Sequence, residues 1–374
     1  MKKSILPLIL MLLLFGCGSK QSSDGFQGKV LDCEKKEAFN MTSLVDHIEF
    51  VTLEQNKESV FGFGTKIKYI NGFYYAMNIV DGGRVLVFDS KGKFIRKIGR
   101  KGRGPGEFIK SIAFDVDDLG NVYIVGSKKF KVIKYNRNNK FLSEVKMDFF
   151  GKGFRVLSDD KFVFLANKRQ SEYQILVTDH QCNIIKKYFK YPEGYVDRDI
   201  DFCRFSNAKN GVNYIHRQNQ EIYNITSDGD LVPLYKLDFG CYTPSEESRN
   251  DPRKLIRGHR AEKLLQMHFC KYDILLGETC IYGTYNNTEA KKNRFFKYDL
   301  DKNKMSADFV GSESNECDLR QIVFPSQLYN DSIIFSTLSY NTFKKRNNKE
   351  LLPDSLIPHL KSGGTILIKH ILKQ

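Results

Sequence analysis

The sequence has no tryptophan, only nine prolines in 374 residues and no apolar run long enough to cross a bilayer. Its longest apolar run, over residues 5–15, is interrupted by Pro7, whereas a transmembrane helix needs about 20 such residues. Multi-span membrane, collagen-like and coiled-coil proteins are therefore excluded. The chain instead has 29 Phe and 19 Tyr, a composition that favours β-strands. With 41% hydrophobic and 28% charged residues, it can bury a large core.

Signatures of catalysis are also missing. The chain contains no GxSxG, HExxH, P-loop or CxxC motif, and its seven histidines show no spacing typical of metal ligands. The glycine-rich segment 99–108 is not predicted to bind phosphate, because a strand rather than a helix follows it. The sequence therefore predicts no cofactor.

The N-terminus has the features of an export signal. Two lysines precede the apolar run, which ends in Gly16-Cys17. A Gly-Cys pair directly after a short apolar segment is typical of the bacterial lipoprotein signal, in which the cysteine is acylated. We predict a signal peptide with a lipobox over residues 1–17, lipidation at Cys17 and a flexible tether over 18–39. The alternative is an ordinary secretory signal with a chance cysteine.

The eight cysteines occur at irregular spacings. With Cys17 assigned to lipid, seven remain, and an odd number cannot all pair within one chain. The spacings do not support a zinc site. We expect the remaining cysteines to be mostly buried free thiols, with room for one disulfide.

One short pattern recurs along the chain: an apolar strand, a polar turn and a second strand. Six such hairpins are predicted, over 67–75, 113–125, 155–166, 204–216, 273–285 and 326–338. A second hairpin follows most of them, over 85–99, 131–147, 174–189, 221–237 and 295–310. Two hairpins give four antiparallel strands in about 40–50 residues, the size of a propeller blade. We predict an all-β fold, a six-bladed β-propeller with four-stranded antiparallel blades over 40–374. A pair of β-sandwiches, the alternative, does not explain the near-regular spacing.

The sixth blade lacks a complete second hairpin. The terminal segment 365–374 supplies one strand and the early segment 47–54 supplies the other, so pairing of the two chain ends is predicted to close the ring. A further segment interrupts the repeat at 245–268. Its Asp251-Pro252 pair and the spacing of its leucines predict a short helix.

The segment GRKGRGPGEF (99–108), followed by the hairpin 113–125 with its Gly-Asn turn, resembles the NHL repeat. With the export signal and the strand VTLE (51–54), the region 47–148 is similar to the six-bladed β-propeller lipoproteins of Bacteroidota. The resemblance implies a propeller fold and a place in the bacterial cell envelope. Gly18 after Cys17 does not suggest inner-membrane retention, which favours an outer-membrane lipoprotein, on the periplasmic side or at the cell surface.

Charge is predicted to differ between the two ends of such a propeller. The loops between second and third strands and the crossings between blades lie at one end, the loop face. The turns between first and second strands lie at the other end, the turn face. The chain carries a formal net charge of +15, and its loop-face segments are basic, whereas its turn-face segments are mildly acidic. A basic face concentrates anionic ligands. The competing interpretation is an ordinary charged surface on a lysine-rich chain.

The candidate ligand-binding residues belong to the loop face. The basic candidates are Arg100, Arg103, Lys128, Lys129, Arg169, Arg217, Lys291 and Lys292. The aromatic candidates are Tyr285, Tyr214, Tyr282 and Tyr340. The partner they predict is an anionic glycan, a lipid headgroup or an acidic protein. The export signal argues against nucleic acid. No catalytic or metal-binding residue is assigned, and we expect a monomer.

Three functions are consistent with these features. The first is a lipid-anchored binding or interaction module of the envelope. The second is an envelope lyase or hydrolase with a metal in the propeller channel, for which His47, His216 and Glu107 are the candidate residues. The third is a structural subunit of an envelope complex, which predicts a large apolar patch on the surface.

Overall fold

A computed structural model describes residues 25–60, 66–78, 82–127, 130–158, 161–192, 205–216, 219–243, 268–270, 274–287, 292–309, 317–322, 325–347 and 349–373. The predicted signal peptide, with Cys17, lies outside these residues. So does the helix predicted at 245–268, apart from residue 268 itself, which begins a strand.

The chain forms six small antiparallel sheets that are the blades of a six-bladed β-propeller, which confirms the predicted fold class. Three strands precede the first blade, namely β1 (Lys29–Asp32), β2 (Lys36–Ala38) and β3 (Val45–Thr52). Blade 1 contains β4 (Lys66–Ile70), β5 (Phe73–Asn78), β6 (Arg84–Phe88) and β7 (Phe94–Ile98). The crossing to blade 2 contains β8 (Arg100–Lys101) and β9 (Glu107–Phe108).

The next three blades each have four antiparallel strands of their own. Blade 2 contains β10 (Ser111–Val116), β11 (Val122–Gly126), β12 (Lys131–Tyr135) and β13 (Phe141–Lys146). Blade 3 contains β14 (Gly151–Ser158), β15 (Lys161–Ala166), β16 (Tyr173–Asp179) and β17 (Ile184–Lys190). Blade 4 contains β18 (Phe205–Asn207), β19 (Val212–His216), β20 (Glu221–Ile225) and β21 (Leu231–Asp238).

The remaining elements complete the ring. Blade 5 contains β22 (His268–Cys270), β23 (Leu275–Leu276), β24 (Cys280–Asn287), β25 (Lys292–Asp299) and β26 (Lys304–Phe309). Then follow β27 (Cys317–Asp318), β28 (Gln327–Tyr329), β29 (Ile333–Leu338), α1 (Tyr340–Phe343), β30 (Arg346–Asn347), α2 (Ile357–Lys361) and β31 (Ile366–Leu372). Single 3-10 turns occur at Met41–Leu44, Gly240–Tyr242, Lys349–Leu351 and Asp354–Leu356. Over the described ranges, no helix is long and apolar enough to span a bilayer.

Local sequence explains the predicted hairpins. In the first turn, Asn71 and Gly72 both have positive φ, at 50° and 82°. Asn-Gly is favoured in two-residue hairpin turns for this reason. The strands then bury apolar side chains between neighbouring blades. One such layer joins Met77 and Val85 of blade 1 to Phe114 of blade 2, so the hydrophobic core is a series of interblade layers.

Closure of the ring follows the predicted pairing of the chain ends. Strand β31 pairs antiparallel with both β29 and β3, and its ladder with β3 runs from Val45 opposite Leu372 to Thr52 opposite Ile366. Blade 6 is therefore built from β28, β29, β31 and β3, and the predicted closure is confirmed.

Residues 29–38, which the sequence predicts to be part of a flexible tether, form an ordered N-terminal strap. Strand β1 pairs parallel with β21 at the outer edge of blade 4, and β2 pairs parallel with β26 at the outer edge of blade 5. Leu31 and Cys33 are fully buried against these blades. The strap is ordered because its alternating apolar residues complete the blade cores.

Lys36 fastens the strap to the propeller. Its Nζ lies 5.5, 5.2 and 5.3 Å from the ring centroids of Phe239, Tyr242 and Tyr285. We expect Lys36→Ala to lower the free energy of unfolding by about 2 kcal/mol, since this cation is partly desolvated. The exposed neighbour Lys35 provides the control Lys35→Ala, which should change stability by less than about 0.5 kcal/mol. Equal effects in urea denaturation would show that the three rings do not stabilise the strap.

Candidate functional site

At the turn face the structure describes a funnel on the propeller axis. It has a volume of about 1230 Å³. The first hairpin turn of every blade contributes to its wall, together with Ser227, and the segments are 69–71, 115–119, 155–158, 207–213, 276–278 and 327–331. Because all six blades reach it, the funnel depends on closure of the whole ring.

Acidic side chains outnumber basic ones in the funnel. Its described lining residues include the carboxylates of Asp115, Asp117, Asp118, Glu278 and Asp331 and the basic groups of Arg155 and Lys209. The acidic character predicted for the turn face is therefore present in its central cavity, where low-dielectric walls strengthen its effect on a charged ligand.

Around the funnel, polar contacts link blade 1 to blade 2, blade 2 to blade 3 and blade 3 to blade 4. Lys68 of blade 1 forms an ion pair with Asp115 of blade 2. Asp115 accepts a hydrogen bond from the Val156 amide of blade 3 at 2.9 Å. Arg155 of blade 3 donates to the Phe205 carbonyl of blade 4 at 3.0 Å.

The other three junctions are linked in the same way. Lys209 of blade 4 forms an ion pair with Glu278 of blade 5, and the Glu278 amide donates to Asp331 of blade 6 at 2.8 Å. Gln327 of blade 6 accepts from the Tyr69 amide of blade 1 at 2.9 Å and donates to its carbonyl at 2.8 Å. The six turns thus form a continuous belt, which makes the funnel a preorganised site.

Asp115 is the most buried charged group of this belt, with 6% of its surface exposed. Besides Lys68, the Arg155 guanidinium lies 3.6 Å from its carboxylate. Burial raises the pKa of the Asp115 carboxyl, and the Val156 amide acts in the opposite direction. The two adjacent cations also favour the charged carboxylate. Asp115, Lys68 and Arg155 therefore form a charged triad that depends on all three members.

Gly211 gives the blade 4 turn its shape. Its φ is +76°, and a Cβ there would lie 1.9 Å from the Ile225 carbonyl oxygen. Asn210, just before it, accepts from the Ser227 amide at 3.0 Å. The sequence Asn-Gly therefore lets the two turns of blade 4 lie side by side at the edge of the funnel.

Aromatic rings are present in the wall between blades 6 and 1. The half-buried Tyr69 and Tyr329 lie with ring centroids 5.0 Å apart in an edge-to-face arrangement. At the rim, Leu119 in the blade 2 turn is 71% exposed. The funnel thus combines carboxylates, side-chain amides and tyrosines, which suit a ligand with many hydrogen-bonding groups.

The loop-face candidates are not in the funnel. Arg100, Arg103 and Arg169 are exposed and are not among the residues that line the funnel. Lys128, Lys129, Arg217 and Lys291 lie outside the described residues, and Lys292 begins β25. A ligand-binding role for these basic residues stays a prediction.

The predicted aromatic contacts are placed differently. Tyr285 is fully buried, with its ring centroid 5.4 Å from that of Phe239 and 6.2 Å from that of Phe296. Tyr214 and Tyr282 are also buried, whereas Tyr340 is half-buried as the first residue of α1. The reason is that the middle strands of a blade are covered on both faces by neighbouring blades, so their tyrosines fill interblade layers.

Glu107, a candidate for a channel metal, has a local structural role. Its carboxylate accepts from the Gly104 amide at 3.0 Å, and a Cβ on Gly102 would lie 1.9 Å from it. The Gly106 amide donates in turn to Glu144 at 2.8 Å. The glycines of segment 99–108 therefore allow the blade crossing to fold around two carboxylates.

The two histidines considered for such a metal lie apart from the funnel. His216 is buried and stacks on Phe189 with ring centroids 4.6 Å apart, and His47 is exposed beside Asp46 at 2.8 Å. Over the part of the chain that the structure describes, no three His, Cys, Asp or Glu side chains are grouped to hold a metal.

Four described cysteines are free thiols. Cys33, Cys182 and Cys280 are buried and Cys241 is exposed. Burial raises the pKa of Cys182 to about 12, which makes this thiol unreactive near neutral pH. For these four residues the expectation of mostly buried free thiols is confirmed.

Comparison with known proteins identifies a family and a fold. The family described as Domain of unknown function (DUF4934) matches residues 29–363. A Bacteroides fragilis protein described as exported has a similar structure, with TM-score 0.70 and 18% identity, covering 92% of this chain and all of that one. A member of the DUF4221 family from Bacteroides vulgatus has TM-score 0.52 and 10% identity, covering 88% and 97%. No curated protein sequence matches.

Proposed function

The chain belongs to the family described as Domain of unknown function (DUF4934), and we propose that it is an envelope binding module whose ligand occupies the turn-face funnel. The observation that carries this proposal is a preorganised cavity to which all six blades contribute. Pockets of this kind, with a few convergent polar groups, are the usual binding sites of small ligands and glycans.

The composition of the funnel supports one class of ligand. Its excess of carboxylates favours positive charge, and the side-chain amides of Asn207, Asn210 and Asn213 can both donate and accept hydrogen bonds. Tyrosine faces can stack on sugar rings. An oligosaccharide that carries amino groups combines these properties. This ligand differs in charge from the anionic partner that the loop-face residues predict.

The predicted location in the cell envelope is consistent with such a role. An export signal over residues 1–17 and lipidation at Cys17 would hold the protein at the outer membrane, and the similar protein from Bacteroides fragilis is described as exported. The envelope enzyme and the structural subunit stay alternative predictions.

A panel of three hexasaccharides tests the ligand class by isothermal titration calorimetry. We expect a glucosamine hexamer to bind more tightly than cellohexaose, and at least about tenfold more tightly than a hyaluronate hexasaccharide, because like charges repel in the funnel. Glu278→Gln should weaken glucosamine-hexamer binding about three- to tenfold, since it removes one funnel charge. Glu172→Gln is the matched control, because Glu172 is also an exposed glutamate paired with a lysine but lies on the loop face.

The loop-face prediction is tested by the same panel. If hyaluronate binds and the triple variant Arg100→Glu, Arg103→Glu and Arg169→Glu abolishes that binding, the ligand site is the basic loop face. That result, together with no binding of the glucosamine hexamer, would contradict the funnel proposal.

A further inference from the structure

Exposed apolar side chains are concentrated at the turn-face end of the propeller. Among the described residues, ten large hydrophobic side chains are exposed. Three of them lie at the loop-face end, at Val60, Ile109 and Leu351. Seven lie in turns or at strand starts of the turn-face end, at Phe73, Leu119, Phe141, Leu142, Ile184, Ile185 and Val232.

Four of these seven form a band on the outer strands of blades 2 to 4. Phe141 is not part of it, because its ring packs against Gly106 of the blade crossing. Leu142 is the second residue of β13, Ile184 and Ile185 begin β17, and Val232 follows the first residue of β21. Their exposed fractions range from 41% to 45%. Within the described ranges, β13 and β17 are the outermost strands of their sheets. The band therefore lies along the outer edge of three adjacent blades, at one end of the propeller.

The N-terminal strap approaches the propeller from this same end. Strand β1 runs parallel to β21, with Lys29 opposite Tyr235 and Asp32 opposite Asp238. Because β21 begins at the turn face, residues 25–28 lie nearer that face. The Phe26 ring confirms this direction, since its centroid is 5.8 Å from that of Tyr223, which lies opposite Pro233.

Chain length limits how far the propeller can lie from a lipid attached to Cys17. Eight Cα–Cα steps separate Cys17 from Gly25, so this distance is at most roughly 30 Å. An anchor at Cys17 would therefore hold the turn-face end of blade 4 close to the bilayer, with the loop face directed away from it.

We propose that the apolar band of blades 2 to 4 is a membrane-docking surface that contacts the lipid headgroup region. The inference rests on the lipid anchor of the proposed function. Exposed Lys140 and Lys187 flank the band, and basic side chains beside apolar ones suit an anionic lipid surface. The funnel then opens toward the membrane, so its ligand is a molecule presented from the membrane side.

Single tryptophans test this orientation, because the natural sequence has none. Leu142→Trp and Ile185→Trp report on the band, and Ile109→Trp and Leu351→Trp are the controls of similar exposure at the loop-face end. The full-length lipidated protein is reconstituted into vesicles of phosphatidylethanolamine and phosphatidylglycerol that contain brominated phosphatidylcholine, and tryptophan quenching is measured. We expect at least about twofold greater quenching for the band positions, because brominated chains quench only nearby indoles.

The possible outcomes distinguish failure of the docking surface from failure of the lipid anchor and from failure of the funnel as a binding site. Protein that does not float with the vesicles would overturn the anchor. Floating protein with equal quenching at all four positions, or stronger quenching at Leu351→Trp, would overturn the docking surface. Glucosamine-hexamer binding by the unlipidated Cys17→Ala protein measures the funnel separately, and its loss or retention leaves the quenching result unaffected.

Discussion

Replacing Asp115 with alanine should lower the free energy of unfolding by about 3–5 kcal/mol, the usual cost of removing one partner of a buried ion pair. The change removes the carboxylate that both Lys68 and Arg155 contact, and these cations have only 16% and 12% of their side chains exposed. It also removes the acceptor of the Val156 amide. Urea denaturation followed by circular dichroism measures the effect.

The same turn offers a matched control. Asp118 is exposed, and its backbone carbonyl, which the substitution retains, accepts a hydrogen bond from the Asn71 side chain, so Asp118→Ala should change stability by less than about 0.5 kcal/mol. If Asp115→Ala does not fold, Asp115→Asn keeps an acceptor for Val156 and should lose less. Equal stability of the Asp115→Ala and Asp118→Ala proteins would show that the charged triad does not hold blades 1 to 3 together.

Filling the funnel should greatly weaken ligand binding. Ala208 is half-buried in the blade 4 turn and lines the cavity. Ala208→Trp places a large ring there without removing any of the belt contacts, so we expect binding of the glucosamine hexamer to fall by about 100-fold, or about 2.7 kcal/mol. Titration calorimetry measures the loss, and circular dichroism verifies the fold.

The control for this variant introduces a tryptophan at the loop face instead of the funnel. Arg169→Trp should leave glucosamine-hexamer affinity within about twofold, because Arg169 is exposed at the loop face. Normal binding by Ala208→Trp, or an equal loss in Arg169→Trp, would mean that the ligand does not enter the funnel.

The sequence predicts the blades well because each hairpin carries its own local signal. Asn71-Gly72 determines a tight turn wherever it occurs between apolar strands. Closure by β3 and β31 is also predictable. The sixth blade lacks two strands, and only two apolar segments of the sequence are not assigned to other blades.

The strap has no comparable signal. Strands β1 and β2 have four and three residues and pair parallel with strands about 200 residues or more away, without a turn between them. Their order comes from packing of Leu31 and Cys33 against blades 4 and 5, a tertiary effect that a local pattern does not contain.

The funnel itself was only partly predictable. The charged residues of each turn can be read from the sequence, and together they predict that the turn face is acidic. Which side chains meet depends on the ring, as when Lys68 of blade 1 reaches Asp115 of blade 2. The burial of Tyr285 is not visible in the sequence for a related reason. A strand covered on both faces has no polar alternation that would distinguish exposed from buried side chains.

Hydrogen–deuterium exchange with and without the glucosamine hexamer shows most directly whether the funnel is the binding site. We expect slower exchange on ligand addition in the six turns around the axis, at 69–73, 115–121, 155–158, 207–213, 276–279 and 327–331, with no change in 99–108 or 167–172. Slower exchange confined to 99–108 and 167–172 would place the ligand on the basic loop face and contradict the funnel as its site.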